Sequence, residues 1–147
     1  MLDSLADALA SDLADHGFED RPCTHGRAWV RKTWLTNRGV VVLELPGGQD
    51  PAAFVDARKF EVGKELGYLF FLYGMGLQVV LVGQSQASLE GAVDLVDNQQ
   101  CIVQSVHLVD PVAGTRRSHR TWGQVITGTF QDALQASIDR FLEGRSA

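Results

Sequence analysis

Cysteine is scarce in this chain: Cys23 and Cys101 are its whole complement. That excludes a disulfide-dense scaffold and predicts two free thiols in a reducing compartment. A basic leader is also missing, because the chain opens MLDSLADALASDLAD, acidic where a secretory signal is basic. The cytoplasm is therefore the expected location. No Gly-rich phosphate loop follows any strand-like run: Gly47-Gly48 fits neither a P-loop nor a dinucleotide fingerprint. A nucleophile elbow, an internal repeat and a low-complexity segment are absent as well.

Charge is missing from residues 66–89. A stretch of that length approaches what spans a bilayer. Gly67, Gly74, Gly76 and Gly83 interrupt it, Gln78, Gln84 and Gln86 occupy its second half, and no basic cluster flanks it. Its first part is aromatic and its second part, Leu77, Val79, Val80, Leu81 and Val82, is β-type. It reads as the end of a buried helix, a tight turn and a central strand, and no membrane association is expected.

What is present suits one globular domain over residues 1–147, large enough to bury a core without a staple. A net charge of −5 argues against nucleic acid as the main partner. Leu2, Leu5, Ala6, Leu9 and Leu13 recur at helical spacing and predict a helix over 3–16, capped by Asp3 or Ser4 and closed by Gly17. Strands are predicted over 28–35 and 40–45, joined by Thr36-Asn37-Arg38-Gly39. Valines on both faces of the second strand predict cover on both sides. Asp50-Pro51 starts a helix expected to run to residue 73. Then come the strand over 77–82, a short helix over 89–97, strands over 100–109 and 115–122, and a last helix from Thr129, with a frayed tail at 143–147. The fold class is α+β: a mixed or mostly antiparallel sheet of about five strands with flanking helices, in the order α-β-β-α-β-α-β-β-α.

Three groups of residues are candidates for chemistry. Cys23 and His25 lie two residues apart, and Cys101 and His107 share parity on one strand, so they are expected on one face. Cys23, His25 and His107 are the candidate metal or haem ligands. Cys101 and His107, about 20 Å apart on an extended strand, cannot hold one ion together. Glu44, Asp56, Glu61 and Lys64 form an acidic set, with Glu61 and Lys64 spaced as a surface ion pair. Arg116, Arg117 and Arg120, followed by Trp122, are the strongest charge cluster and the candidate site for a small anion. Arginines on both faces of one strand place it at a sheet edge. Trp29 and Trp34 have opposite parity, one directed to a helix layer.

The order of elements resembles the restriction-endonuclease fold over about half the chain. That resemblance implies a Mg²⁺-dependent phosphodiesterase, but the acid followed by Glu-x-Lys is absent, since Leu45 and Pro46 follow Glu44. The small acidic build with terminal helices around a sheet resembles the dimeric chaperones of bacterial secretion systems, which implies a homodimer that binds protein. The expected function is a non-enzymatic intracellular binding or accessory protein, working through an interface with a protein partner or with itself. The alternative is a small-ligand, haem or metal-cofactor protein. No motif calls for a cofactor.

Overall fold

A computed structural model describes residues 1–32, 36–67, 74–94, 101–120 and 124–146, and the backbone alone for residues 36, 74 and 124–129. The expectations for Trp34, for the aromatic run at 68–73 and for Trp122 lie outside the described residues. The order is α1 (Leu2–Asp15), β1 (Glu19–Arg21), β2 (Gly26–Lys32), β3 (Thr36–Glu44), α2 (Pro51–Glu65), β4 (Gly74–Val82), a 3₁₀ turn (Glu90–Ala92), β5 (Cys101–Asp110), β6 (Thr115–Arg120) and α3 (Gln124–Ser146). The class is α+β, as expected.

The strands form one six-stranded mixed sheet in sequence order. β1, β2 and β3 are antiparallel, β3, β4 and β5 are parallel, and β6 returns antiparallel to β5. The sheet is thus one strand larger than expected. The extra strand is β1, three residues inside what reads as a loop, held by pairing to β2 at Ala28, Trp29 and Val30. Alternation in β3 divides its residues between two cores, as its valines require. Val41 and Leu43 join Phe54, Val55 and Val62 of α2, with Leu77, Val79 and Leu81 of β4. Val40 and Val42 join Leu5, Leu9 and Leu13 of α1, with Leu134, Ile138 and Leu142 of α3 and the buried Trp29.

Helix ends account for most remaining differences. The Asp50 carboxylate accepts from the Ala53 N–H (3.0 Å) ahead of Pro51, so α2 starts where its cap and proline dictate. It stops at Glu65, not residue 73, because Gly67 takes φ +97°, a left-handed conformation that ends a helix. Gly17, at φ +83°, closes α1 in the expected way, but Met1 occupies the N-cap without a side-chain bond, in place of Asp3 or Ser4. Of the short helix expected at 89–97, the described residues form a single 3₁₀ turn, Glu90–Ala92, which Ser88 opens by accepting from the Glu90 N–H. α3 begins at Gln124, before Thr129, and Asp132 is not a capping partner but pairs with Arg120. The C-terminal tail does not fray at 143: the helix continues to Ser146, whose hydroxyl donates to the Leu142 carbonyl. Among the described residues no helix is long and apolar enough to cross a membrane.

β5 carries an irregularity that moves side chains between faces. Leu77 pairs Val103, yet the next residue, Gln78, pairs Ser105, so Gln104 is an extra residue in the strand. A bulge of this kind reverses which parity faces which side. Cys101 and Val103 face α2 before it, whereas Val106 and Leu108 face α2 after it. The expectation that Cys101 and His107 share a face is therefore incorrect. The bulge brings Ser105, His107 and Val109 to the α3 side.

Candidate functional site

Where an apolar core would continue under α3, the sheet turns polar. Gln78, Ser105 and His107 are buried there at 1%, 0% and 0% exposure, and buried polar groups must find partners or cost stability. They find each other. Arg116 donates to the Ser118 hydroxyl, Ser118 lies 2.7 Å from His107 Nδ1, and His107 Nε2 lies 3.2 Å from Ser105. Ser105 donates to the Gln78 carbonyl, and Gln78 Nε2 donates to Gln104 (2.9 Å). Gly76 makes room for this end: a Cβ there would sit 2.8 Å from the Gln104 carboxamide.

Two ends together set the bond directions: Arg116 can only donate, and the Gln78 Oε1 that Ser105 donates to can only accept. Arginine only donates, so Ser118 accepts from Arg116 and gives its own proton to Nδ1. The imidazole is then the Nε2–H tautomer, which donates to Ser105. Protonating Nδ1 would set a second donor against Ser118 and leave the hydroxyl proton without an acceptor. Burial, with Arg116 and Arg120 nearby, drives the His107 pKa down to about 3. Arg116 is itself fixed by a two-point pair with Asp139 of α3 (2.8 and 2.9 Å), and that arginine holds the Asp139 carboxyl below its usual range.

The three candidate arginines all have partners in their own chain. β6 is an edge strand, as their alternation predicts. Arg116 and Arg120 turn to α3, where Arg120 pairs with Asp132 (2.8 Å). Arg117 turns to the other face and donates to the carbonyls of Ser85 (2.6 Å) and Ala87 (3.0 Å). A cleft of about 510 Å³ lies beside it, lined by Gly83, Gln84, Ser85, Gln86, Asp110 and Thr115.

The structure does not bring the three candidate metal ligands together. Cys23 packs against the α2-side core, and His107 lies on the opposite face of the sheet. His25 engages Glu61 (2.8 Å) and Arg58 (3.4 Å). Among the described residues no group of three histidine, cysteine or acidic side chains could hold a metal ion. Glu61 pairs with Arg58, not with Lys64, and His25 in particular keeps its carboxyl below the usual range. Glu65 accepts from the Thr24 N–H and hydroxyl. Glu44 is exposed at the end of β3. The buried Lys59, which no sequence pattern singled out, pairs with Asp94 at 2.9 Å, and Asp94 also accepts from the Val103 N–H.

Neither thiol is activated towards the thiolate. Burial pushes the Cys23 thiol up, and burial raises Cys101 to about 12, with its S–H directed at the Lys59 carbonyl. Thiol titration should accordingly find two free groups in denaturant without reductant. In the native protein the half-buried Cys23 should react slowly and Cys101 only on unfolding. Fast labelling of Cys101 in the native state would contradict its burial.

No protein family, curated protein or solved structure matches the chain.

Proposed function

We propose that the chain is a non-enzymatic binding protein of the cytoplasm that works as a homodimer, paired edge to edge through β6. The observation that carries this reading is the state of the β6 edge. No described strand pairs with its outer side. Charged side chains commonly guard such edges, but here Arg116, Arg117 and Arg120 are tied back over the two faces by Asp139, Asp132 and the carbonyls of Ser85 and Ala87. They leave the backbone edge open to another strand. A strand that meets its own copy antiparallel satisfies a two-fold axis, and main-chain bonds supply the affinity. β1, the other edge, offers three residues against six. The non-enzymatic part of the reading is supported by His107 and Cys101. A general base needs a pKa near neutrality and a nucleophilic thiol a depressed one, and both groups have moved the opposite way.

Light scattering across the micromolar range, with hydrogen exchange of the β6 amides, tests the pairing. Dimer mass is expected, with the amides that face away from β5 protected in step with concentration. A monomer at all concentrations, with those amides exchanging fast, would overturn the reading.

A further inference from the structure

Two of the three arginines on β6 have their charge matched by an acid, Arg116 by Asp139 and Arg120 by Asp132. Arg117 does not. It gives one N–H from Nη1 to the Ala87 carbonyl and one from Nη2 to the Ser85 carbonyl, and among the described residues no carboxylate pairs with it. Carbonyls fix a guanidinium in place without cancelling its charge, and three of its five N–H groups stay unused. So held, Arg117 forms one wall of the cleft of about 510 Å³. Asp110 lines the same cleft. Its Oδ1 accepts from the Val112 and Ala113 N–H groups, both at 3.0 Å, and its Oδ2 has no partner among the described residues. Asp110 is in register with Thr115 and Leu108 with Arg117, so Asp110 and Arg117 are diagonal neighbours on one face of the sheet. Diagonal Cα atoms lie about 7–8 Å apart. Each group is nevertheless tied to its own stretch of backbone, and the two do not pair.

We infer that this cleft binds a free α-amino acid, its carboxylate on Arg117 and its ammonium on Asp110. A lone anion would satisfy the guanidinium but sit beside an unmatched carboxylate, and a lone cation would do the reverse. An α-amino acid carries both charges on one carbon, and so bridges two fixed opposite charges that do not reach each other. Its carboxylate accepts from the unused N–H groups of Arg117, and its ammonium donates to Asp110 Oδ2, both charge-assisted bonds. The remaining polar wall, Gln84, Gln86 and Thr115, carries no charge, and the volume has room for a side chain the size of glutamine's. The site lies on a face of the sheet and uses no outer backbone group of β6. The failure of either proposal therefore leaves the other standing.

Titration with L-glutamine, followed through the backbone amide resonances of the full chain, tests it. Two comparison compounds each lack one charge: N-acetyl-L-glutamine has no ammonium, and the α-amide of L-glutamine has no carboxylate. L-glutamine is expected to shift the amides of residues 83–88 and 110–117 saturably, and each comparison compound should bind about tenfold or more weakly, the worth of one bond to a charged group. Asp110→Asn keeps the turn, because asparagine accepts from the same N–H groups, and should weaken L-glutamine about tenfold or more, as should Arg117→Gln. The absence of saturable shifts at the cleft amides, up to the solubility of the amino acid, would overturn the proposal. So would N-acetyl-L-glutamine binding as tightly as L-glutamine, or undiminished affinity in Asp110→Asn.

Discussion

Acidification from neutral pH should destabilise the wild type steeply, and His107→Gln should remove much of that dependence. In the fold the imidazole is held down at about 3; in the unfolded chain it returns to about 6.5. Between those values the unfolded chain binds a proton that the folded chain refuses. Protons therefore favour unfolding, and stability falls as pH drops from about 6.5 towards about 3, below which both states are protonated and the contribution levels off. The limiting slope for one group is about 1.4 kcal/mol per pH unit. Glutamine at this position keeps one acceptor for Ser118 and one donor for Ser105, but it cannot titrate. The variant should retain only the fall due to carboxylates such as Asp12 and Asp139. Ser137 and Arg140 lower the first and Arg116 the second, so their stabilisation is also lost as pH falls. Denaturant midpoints measured every half unit from pH 7 to pH 3.5 give the comparison. Equal slopes for the two proteins would mean that His107 is not the neutral, enclosed group described above.

Leu81→Asp should leave no folded protein. Leu81 is completely enclosed on β4, paired to Leu43 on one side and Leu108 on the other, on the face that α2 covers. An unpaired carboxylate there costs several kcal/mol, against a total stability of about 5–15 kcal/mol for a domain. Leu81→Ala is the control: it removes volume but adds no charge, should cost about 2–5 kcal/mol, and should remain soluble and folded at low temperature. Partitioning between supernatant and pellet, followed by circular dichroism of any soluble fraction, distinguishes the two. A cooperative melt from soluble Leu81→Asp would contradict the central placement of β4.

The parts of this fold that sequence makes legible are those fixed by local chemistry. The leucine stripe of α1, the Asp50-Pro51 start of α2 and the two-faced β3 each follow from residues adjacent in the chain. The alternation of Arg116 and Arg120 against Arg117 correctly placed β6 at an edge, but not the acids that hold them, because Asp139 and Asp132 come from another element. β1 is not legible in the sequence because Glu19, Asp20 and Arg21 have no strand pattern of their own and are ordered by β2. The seam was illegible for a sharper reason. Period-two reading of β5 puts Cys101 and His107 on one face, and a single bulged residue at Gln104 reverses that. Nothing in the local sequence marks the bulge; the glutamines at Gln78 and Gln104 and the gap at Gly76 are its only trace, and they acquire meaning only once β4 and β5 are side by side.

The bonds from Arg116 to Gln104 all run one way, and that gives the seam a polarity. Each donor strengthens the next, so the guanidinium charge at one end is felt at the carboxamide five bonds away. The line cannot be run backwards, because its first member never accepts, and so it is a dead end for proton conduction. Its energy belongs to the line as a whole. Removing Ser118 or Ser105 singly should cost nearly as much as removing both, so a double-mutant cycle across His107 would report strong coupling between two residues that do not touch.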